Sequence, residues 1–385
     1  MNWSSWAARE LHALHEADRL RQTIAFDGDG PEGVVAGKRV VSFASNDYLG
    51  LASHPKVRAA AHAAIDRYGA GAMASRLVVG TRSLHHELEA ALARWKSSQR
   101  ALVFSSGYAA NIGVLATLGG VGVTVFSDAL NHASIIDGCR LAKAGTVIYR
   151  HADPAHLEFL MERTSGAKLV VTETVFSMDG DRAPIEAIAQ LCARHQALLV
   201  LDEAHDVLSP GCESLCGAEI LHVGTLSKTL GALGGFVAGP GALIDLLVNR
   251  ARTFIFTTGL SPADTAAALC AVEICTSAEG EVLRSRLRVL IDALRSGHPS
   301  AILPLILGSD SDALAAARRL FERGIHVPAI RPPTVPAGTA RLRIALSASH
   351  TDAMALQLRE ALAALGPVAN CPTSIVRRAN AGASA

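Results

Sequence analysis

Neither sign of charge dominates this 385-residue chain. Lysine and arginine number 36 against 35 aspartates and glutamates, a net of +1 with the histidines neutral. That balance leaves no basic field for nucleic acid or an anionic membrane. The opening stretch MNWSSWAARELHALHEADRLRQT carries charges throughout and lacks the apolar core of a secretion signal. Seven cysteines form no CxxC pair. Cys212 and Cys216 stand closest, without a second pair or a histidine cluster, so free thiols in a reducing cytosol are expected and a metal site is not. Residues 101–127 lack charge but hold SSGYAAN and four glycines between Gly113 and Gly122, which suits strand, loop, helix and strand rather than a membrane span. No repeat of fixed period is evident. What remains is a soluble, cytoplasmic globular chain of 50% hydrophobic and 18% charged residues, long enough for two packed units.

Short apolar runs alternate with helical patterns. ALVF (101–104), VTVF (123–126), KLVVT (168–172), ALLVL (197–201), ILHV (220–223) and GFVAG (235–239) read as strands, apolar on both faces. Runs of that kind predict a mostly parallel α/β sheet covered by helices on both sides. Before it, residues 5–24 read as an amphipathic helix through Trp6, Leu11, Leu14 and Leu20, and Val40 to Phe43 as a short strand. The last third changes character, with PLILG, a helix near 311–323 and a final helix near 352–365. The expected division is an N-terminal segment (1–45), a large domain (46–275), a smaller C-terminal α+β domain (276–365) and a frayed tail (366–385).

In open α/β sheets, ligands sit at the carboxyl ends of strands. Here ALVF leads to Ser105-Ser106-Gly107-Tyr108 and a helix start near Ala109, where backbone donors suit a phosphate. VTVF leads to Asp128 and His132, KLVVTETVF to Ser177, and ALLVL to Asp202-Glu203-Ala204-His205. ILHV leads to Thr225 and then Lys228, inside VGTLSKTLGALGG. The pair Lys228-Thr229 imitates the end of a P-loop, but Ser227 and His222 replace both required glycines. Singly, these residues have plainer readings: Asp202 as a helix cap, His132 as a packed ring, Lys228 in a surface turn. Together they fit pyridoxal phosphate. That cofactor needs a lysine for its aldehyde, a carboxylate for its ring nitrogen, donors for its phosphate and ring oxygen, and a flat group over the ring.

The ordered motifs SNDYLGL (45–51), GAGAMASRLVVGT (69–81), SSGYAAN (105–111), TETVFSMDGD (172–181), DEAH (202–205) and TLSK (225–228) resemble the pyridoxal-phosphate α-oxoamine synthases of fold type I. The resemblance runs from about Ala17 to Leu365. It implies that Lys228 forms the internal aldimine, Asp202 pairs with the pyridinium, His205 holds the ring oxygen and His132 stacks on the ring. Gly107, Tyr108, Ser177 and Thr225 would line the cofactor. Arg21, Asn46, Arg331 and Thr334 match substrate positions, with Arg331 a candidate for the carboxylate. Thr257 or Thr258 would reach the phosphate of a partner subunit, because relatives are homodimers with shared sites.

Within the family, IRPPTVPAGTARLR (330–343) resembles the branch that joins L-alanine to a pimeloyl thioester, carried by CoA or an acyl-carrier protein, in biotin biosynthesis. A sibling activity on glycine or serine and a non-catalytic pyridoxal-phosphate protein are the alternatives. The chain departs from its relatives after DEAH. Asp206-Val207 stands where a glycine-rich stretch usually begins, and Lys228 follows Asp202 by only 26 positions.

Overall fold

The computed structural model describes residues 2–208 and 217–366. Its strands in chain order are β1 (Glu32–Val35), β2 (Lys38–Ser42), β3 (Arg100–Phe104), β4 (Val123–Asp128), β5 (Gly145–Tyr149), β6 (Ala167–Glu173), β7 (Leu198–Asp202), β8 (Glu219–Thr225), β9 (Gly235–Gly239), β10 (Ile302–Gly308), β11 (Ile325–His326), β12 (Ala329–Ile330) and β13 (Ala340–Ala345). Two compact units result, one of residues 46–286 and one of residues 1–45 with those after 286. The chain passes from one to the other within the helix Ala278–Leu294.

The unit of residues 46–286 holds one sheet in the order β3-β9-β8-β7-β6-β4-β5. Strands β4 to β8 run parallel, and β9 is antiparallel to both its neighbours. Side chains alternate between its faces. Val125, Leu169, Val171, Val200, Leu221 and Val223 pack on one side with Ala110, Val114 and Leu115 of the helix Gly107–Leu118. Phe126, Val170, Leu199 and Leu201 pack on the other with Ile185, Ile188 and Leu191. Each buried Val, Leu or Phe contributes about 1.5–3 kcal/mol, more than the net worth of one hydrogen bond, so burial on both faces fixes the strands. The alternation also sets the polar ends. Glu173, Asp202 and Thr225 continue the series that faces Gly107–Leu118.

The other unit carries two three-stranded sheets, β1-β2-β11 and β10-β13-β12. Asp310–Glu322 and Asp352–Ala363 are its long helices after residue 300. The N-terminal helix is shorter than the apolar spacing suggests. It spans Trp3–Glu16 and none of its residues is buried; Asp18 adopts a φ of 55°, which ends the helical course before Leu20. Strand β5 had no counterpart among the apolar runs, because this edge strand buries only Tyr149 fully. Among the described residues, no helix is long and apolar enough to cross a membrane. Residues 209–216, which include Cys212 and Cys216, and the tail beyond Gly366 lie outside the described residues.

Candidate active site

At the end of β7, Asp202 is buried and its carboxylate accepts from Asn111 Nδ2 at 2.7 Å and from the Ala204 amide at 3.0 Å. The same Asn111 amide donates to Ser134 Oγ at 2.9 Å, which lies 2.8 Å from His132 Nδ1. His132 caps the helix Ala133–Leu141, its Nδ1 also accepting from the Ser134 amide. Two donors converge on Nδ1, so His132 carries its proton on Nε2. Its residue surface is open to solvent, yet the protein packed about the ring lowers its pKa, against the opposite pull of Asp202.

Glu173 is the register partner of Asp202 on β6 and is buried beside it. Its Oε2 accepts from the Ser177 amide at 3.2 Å, which places Ser177 in the same corner. Burial first, then the Asp202 charge, pushes Glu173 up to about 8, with Lys228 and the amides opposing.

Lys228 follows β8 by three residues, and its Nζ lies 2.8 Å from His205 Nε2. His205 is buried, its Nδ1 2.7 Å from Tyr48 Oη, and Tyr48 donates to Asn46 Oδ1 at 3.1 Å. Four residues of this architecture are not singled out by the sequence alone: Tyr48, Asn111, Ser134 and Glu173. All but Ser134 lie inside a quoted motif, SNDYLGL, SSGYAAN or TETVFSMDGD.

The phosphate candidates also converge. Ser106 caps the helix Gly107–Leu118 by accepting from Ala109, so Gly107 and Tyr108 head a helix whose first amides have no intrahelical partner. Strand β9 comes so close that a Cβ on Gly235 would stand 2.4 Å from the Gly107 nitrogen, which glycine alone permits. Thr225 adjoins the same start: a Cβ on Gly107 would meet its Cβ at 3.2 Å. Thr225 Oγ1 donates to the Gly234 carbonyl at 3.0 Å and lies 2.7 Å from Ser227 Oγ. Thr257 and Thr258 line a recess with Ser105 and Arg76, and Thr258 pairs with Ser75. Arg21, Arg331 and Thr334 belong to the other unit, where Arg21 donates to the Pro332 carbonyl at 3.4 Å, Arg331 to that of Asp18, and the Thr334 amide to that of Arg331.

The residues present fit pyridoxal phosphate. Asn111 Oδ1 and Glu173 Oε1 are buried without a hydrogen-bond partner among the described residues, beside a carboxylate that suits a protonated ring nitrogen. Lys228 stands at the end of the next strand, and a helix start adjoins it. Among the described residues, no cluster of three His, Cys, Asp or Glu is placed to hold a metal ion.

A second set of charges near this corner is held in ion pairs. Glu203 receives Lys96 at 2.6 Å and His222 at 2.8 Å, all three buried. Burial would raise its pKa, but these partners outweigh it and bring Glu203 to about 2. Asp206, the residue after DEAH, takes both arms of Arg182 at 3.0 and 2.9 Å. His151 sits between Asp128 at 2.9 Å and Asp181 at 2.8 Å.

The family model for class I and II aminotransferases matches residues 38–362. An 8-amino-7-oxononanoate synthase of Anaeromyxobacter dehalogenans (strain 2CP-1 / ATCC BAA-258) is 48% identical, over 97% of this chain and 98% of its own. One of Geobacter sulfurreducens is 45% identical, over 94% and 97%. Among solved structures, a serine palmitoyltransferase of S. paucimobilis with bound PLP–myriocin aldimine superposes with a TM-score of 0.87 at 32% identity, covering 94% of this chain and 96% of its own. An 8-amino-7-oxononanoate synthase of Francisella tularensis gives 0.70 at 27%, covering 85% and 96%.

Proposed function

The chain belongs to the class I and II aminotransferase family of pyridoxal-phosphate enzymes, and from that membership we propose a reaction and a role for each residue of the corner around Lys228. The reaction is the decarboxylative condensation of L-alanine with a pimeloyl thioester to give 8-amino-7-oxononanoate and CO2, a step of biotin synthesis. The curated relatives at 45–48% identity support this over the serine-using sibling, whose structures superpose well at 32%.

The observation that carries the reading is the Lys228–His205 contact of 2.8 Å beside the held carboxylate of Asp202. Lys228 is the amine that bonds the cofactor aldehyde, and once free and neutral it takes the Cα proton of alanine. When bound, the cofactor supplies an electron sink for the charge left on that carbon. Asp202, fixed by Asn111 and the Ala204 amide, holds the proton of the ring nitrogen. His205 would hold the ring oxygen, and the neutral His132 would stack on the ring and polarise the thioester carbonyl. Gly107, Tyr108, Ser177 and Thr225 hold the cofactor, while Arg21, Asn46, Arg331 and Thr334 hold substrate, Arg331 through its carboxylate. The alanine Cα bonds to the acyl carbon, the C–S bond breaks and the thiol leaves. The resulting β-keto acid loses CO2, and the same carbon is reprotonated.

We place the protein in the cytoplasm as a homodimer with shared sites, Thr257 or Thr258 reaching the partner's phosphate, and with CoA or an acyl-carrier protein presenting the acyl group. Lys228→Ala should abolish both the borohydride-sensitive visible band and turnover; retention of both would defeat the assignment. Alanine, glycine and serine, each assayed with a panel of acyl thioesters and product masses, separate the reaction from its siblings. A visible band without CO2 release would instead mark a non-catalytic cofactor binder.

A further inference from the structure

We propose that Tyr48 decides which nitrogen of His205 carries the proton, and thereby sets the proton on Lys228, by turning its hydroxyl between Asn46 and His205. The inference rests on the reading of Lys228 as the amine that bonds the cofactor. It makes Tyr48 a positioning residue.

Four groups stand in line: Asn46 Oδ1, Tyr48 Oη, His205 and Lys228 Nζ, at successive separations of 3.1, 2.7 and 2.8 Å. Tyr48 has a single proton to give and is fully buried, with no water-facing alternative. While that proton points at Asn46, the phenol oxygen accepts from His205 Nδ1–H, and Nε2 is left as an acceptor for Lys228. When it points at His205, Nδ1 becomes the acceptor, and Nε2 must carry the proton and donate. These are two settings of the same heavy atoms. The nitrogen of a histidine that is protonated is fixed by the hydrogen bond at the other nitrogen. Only the second setting gives His205 a donor for a ring oxygen, and it withdraws the phenol proton from the Asn46 oxygen. Cofactor loading and a change at a substrate position are then one movement of a hydroxyl.

The test follows the loading of apo-protein with pyridoxal 5′-phosphate across pH. The Lys228 amine condenses with the aldehyde and one water is lost, so the rate tracks the neutral amine. Asp202, Glu173 and His132 face Lys228, and Asp47 and Asp206 lie on the segments that carry Tyr48 and His205. All five are unchanged in the variants. Tyr48→Phe removes the phenol oxygen that accepts from Nδ1, which shifts the proton toward Nε2, and the amine, facing a donor, is favoured in its neutral form. The loading midpoint should fall by about one pH unit. Asn46→Ala turns the hydroxyl toward His205 and should shift the midpoint the same way, with the phenol retained should Tyr48→Phe fail to fold. In a His205→Gln background, Tyr48→Phe should move nothing. A midpoint unchanged in both single variants, or a uniform loss of affinity at every pH, reduces Tyr48 to packing and overturns the proposal. Loading that persists in Lys228→Ala defeats the underlying reading instead.

Discussion

Two buried glutamates stand at the ends of neighbouring strands and differ in every electrostatic respect. Glu173, ending β6, lies beside the carboxylate of Asp202 and is pushed up to about 8. Glu203, one residue past β7, is held by Lys96 and His222 and brought to about 2. Burial is close to complete for both, so burial does not separate them. The sign of the neighbouring charge does. Asp202 and Glu203 are adjacent in the chain, and the strand alternation sends their side chains to opposite faces. On one face are the Lys228 amine, two carboxyl groups and a neutral imidazole, with the orphaned oxygens of Asn111 and Glu173. On the other, the carboxylates of Glu203, Asp206, Asp128 and Asp181 are held in ion pairs by Lys96, His222, Arg182 and His151. The first face suits a ligand, and the second holds the DEAH turn that delivers Asp202 and His205 to it.

The contrast is broken most severely at Lys96. Lys96→Met leaves Glu203 buried with half its compensation and should cost about 3–5 kcal/mol in denaturant unfolding at neutral pH. Lys96→Met with Glu203→Leu should recover most of that loss. A single variant as stable as the parent would mean that the cluster is not a support. Glu173 gives the opposite signature. Its folded pKa lies above the ordinary 4.5, so its contribution to stability is full below that value and is lost as pH rises toward about 8. Glu173→Gln should flatten the apo-protein's stability across that window, gaining on the order of 2 kcal/mol over the parent at its upper end. Parallel profiles for the two proteins would show that Glu173 is already ionised, and the comparison with Glu203 would collapse.

How much of this could be read from residues alone followed from how local each signal is. Six strands of the large sheet were legible because burial on both faces writes a continuous apolar run. Strand β5 was not, since GTVIY at the sheet edge buries one side chain fully and resembles a turn-bounded loop. The N-terminal helix was overrun because apolar spacing continues past Asp18, whose backbone conformation no spacing reports. Lys228, Asp202, His205, His132 and Thr225 stood out because strand ends gather ligand groups. Tyr48 meets His205 across 157 positions, and Asn111 meets Asp202 across 91. Those pairings exist only once the chain has folded, although both residues sit in motifs that mark the family.

The smallest expected effect tests whether the paired clusters also hold the loops of the face that carries Lys228. His151 bridges Asp128, at the end of β4, and Asp181, in the hairpin closed by the Val175–Arg182 pair that carries Ser177. Its ring also meets the Phe176 ring edge-on at 4.3 Å. The hydrogen bonds it donates to Asp128 and then to Asp181 raise its pKa from the ordinary 6.5 to about 10. The stability it lends is therefore whole below 6.5 and disappears as pH climbs through about 10. Asp128 keeps the amides of Leu130 and Ala152 without it, and Asp181 is 43% exposed, so solvent screens much of the bridge. His151→Gln should then cost only about 1 kcal/mol at neutral pH, with the gap closing as the pH rises through 10. Hydrogen exchange should quicken at the Phe176 and Gly180 amides, which close the hairpin, while β7 stays protected. Equal protection in the hairpin of both proteins would show that the backbone pairs alone hold Ser177 in place, and that the paired charges support only the DEAH turn.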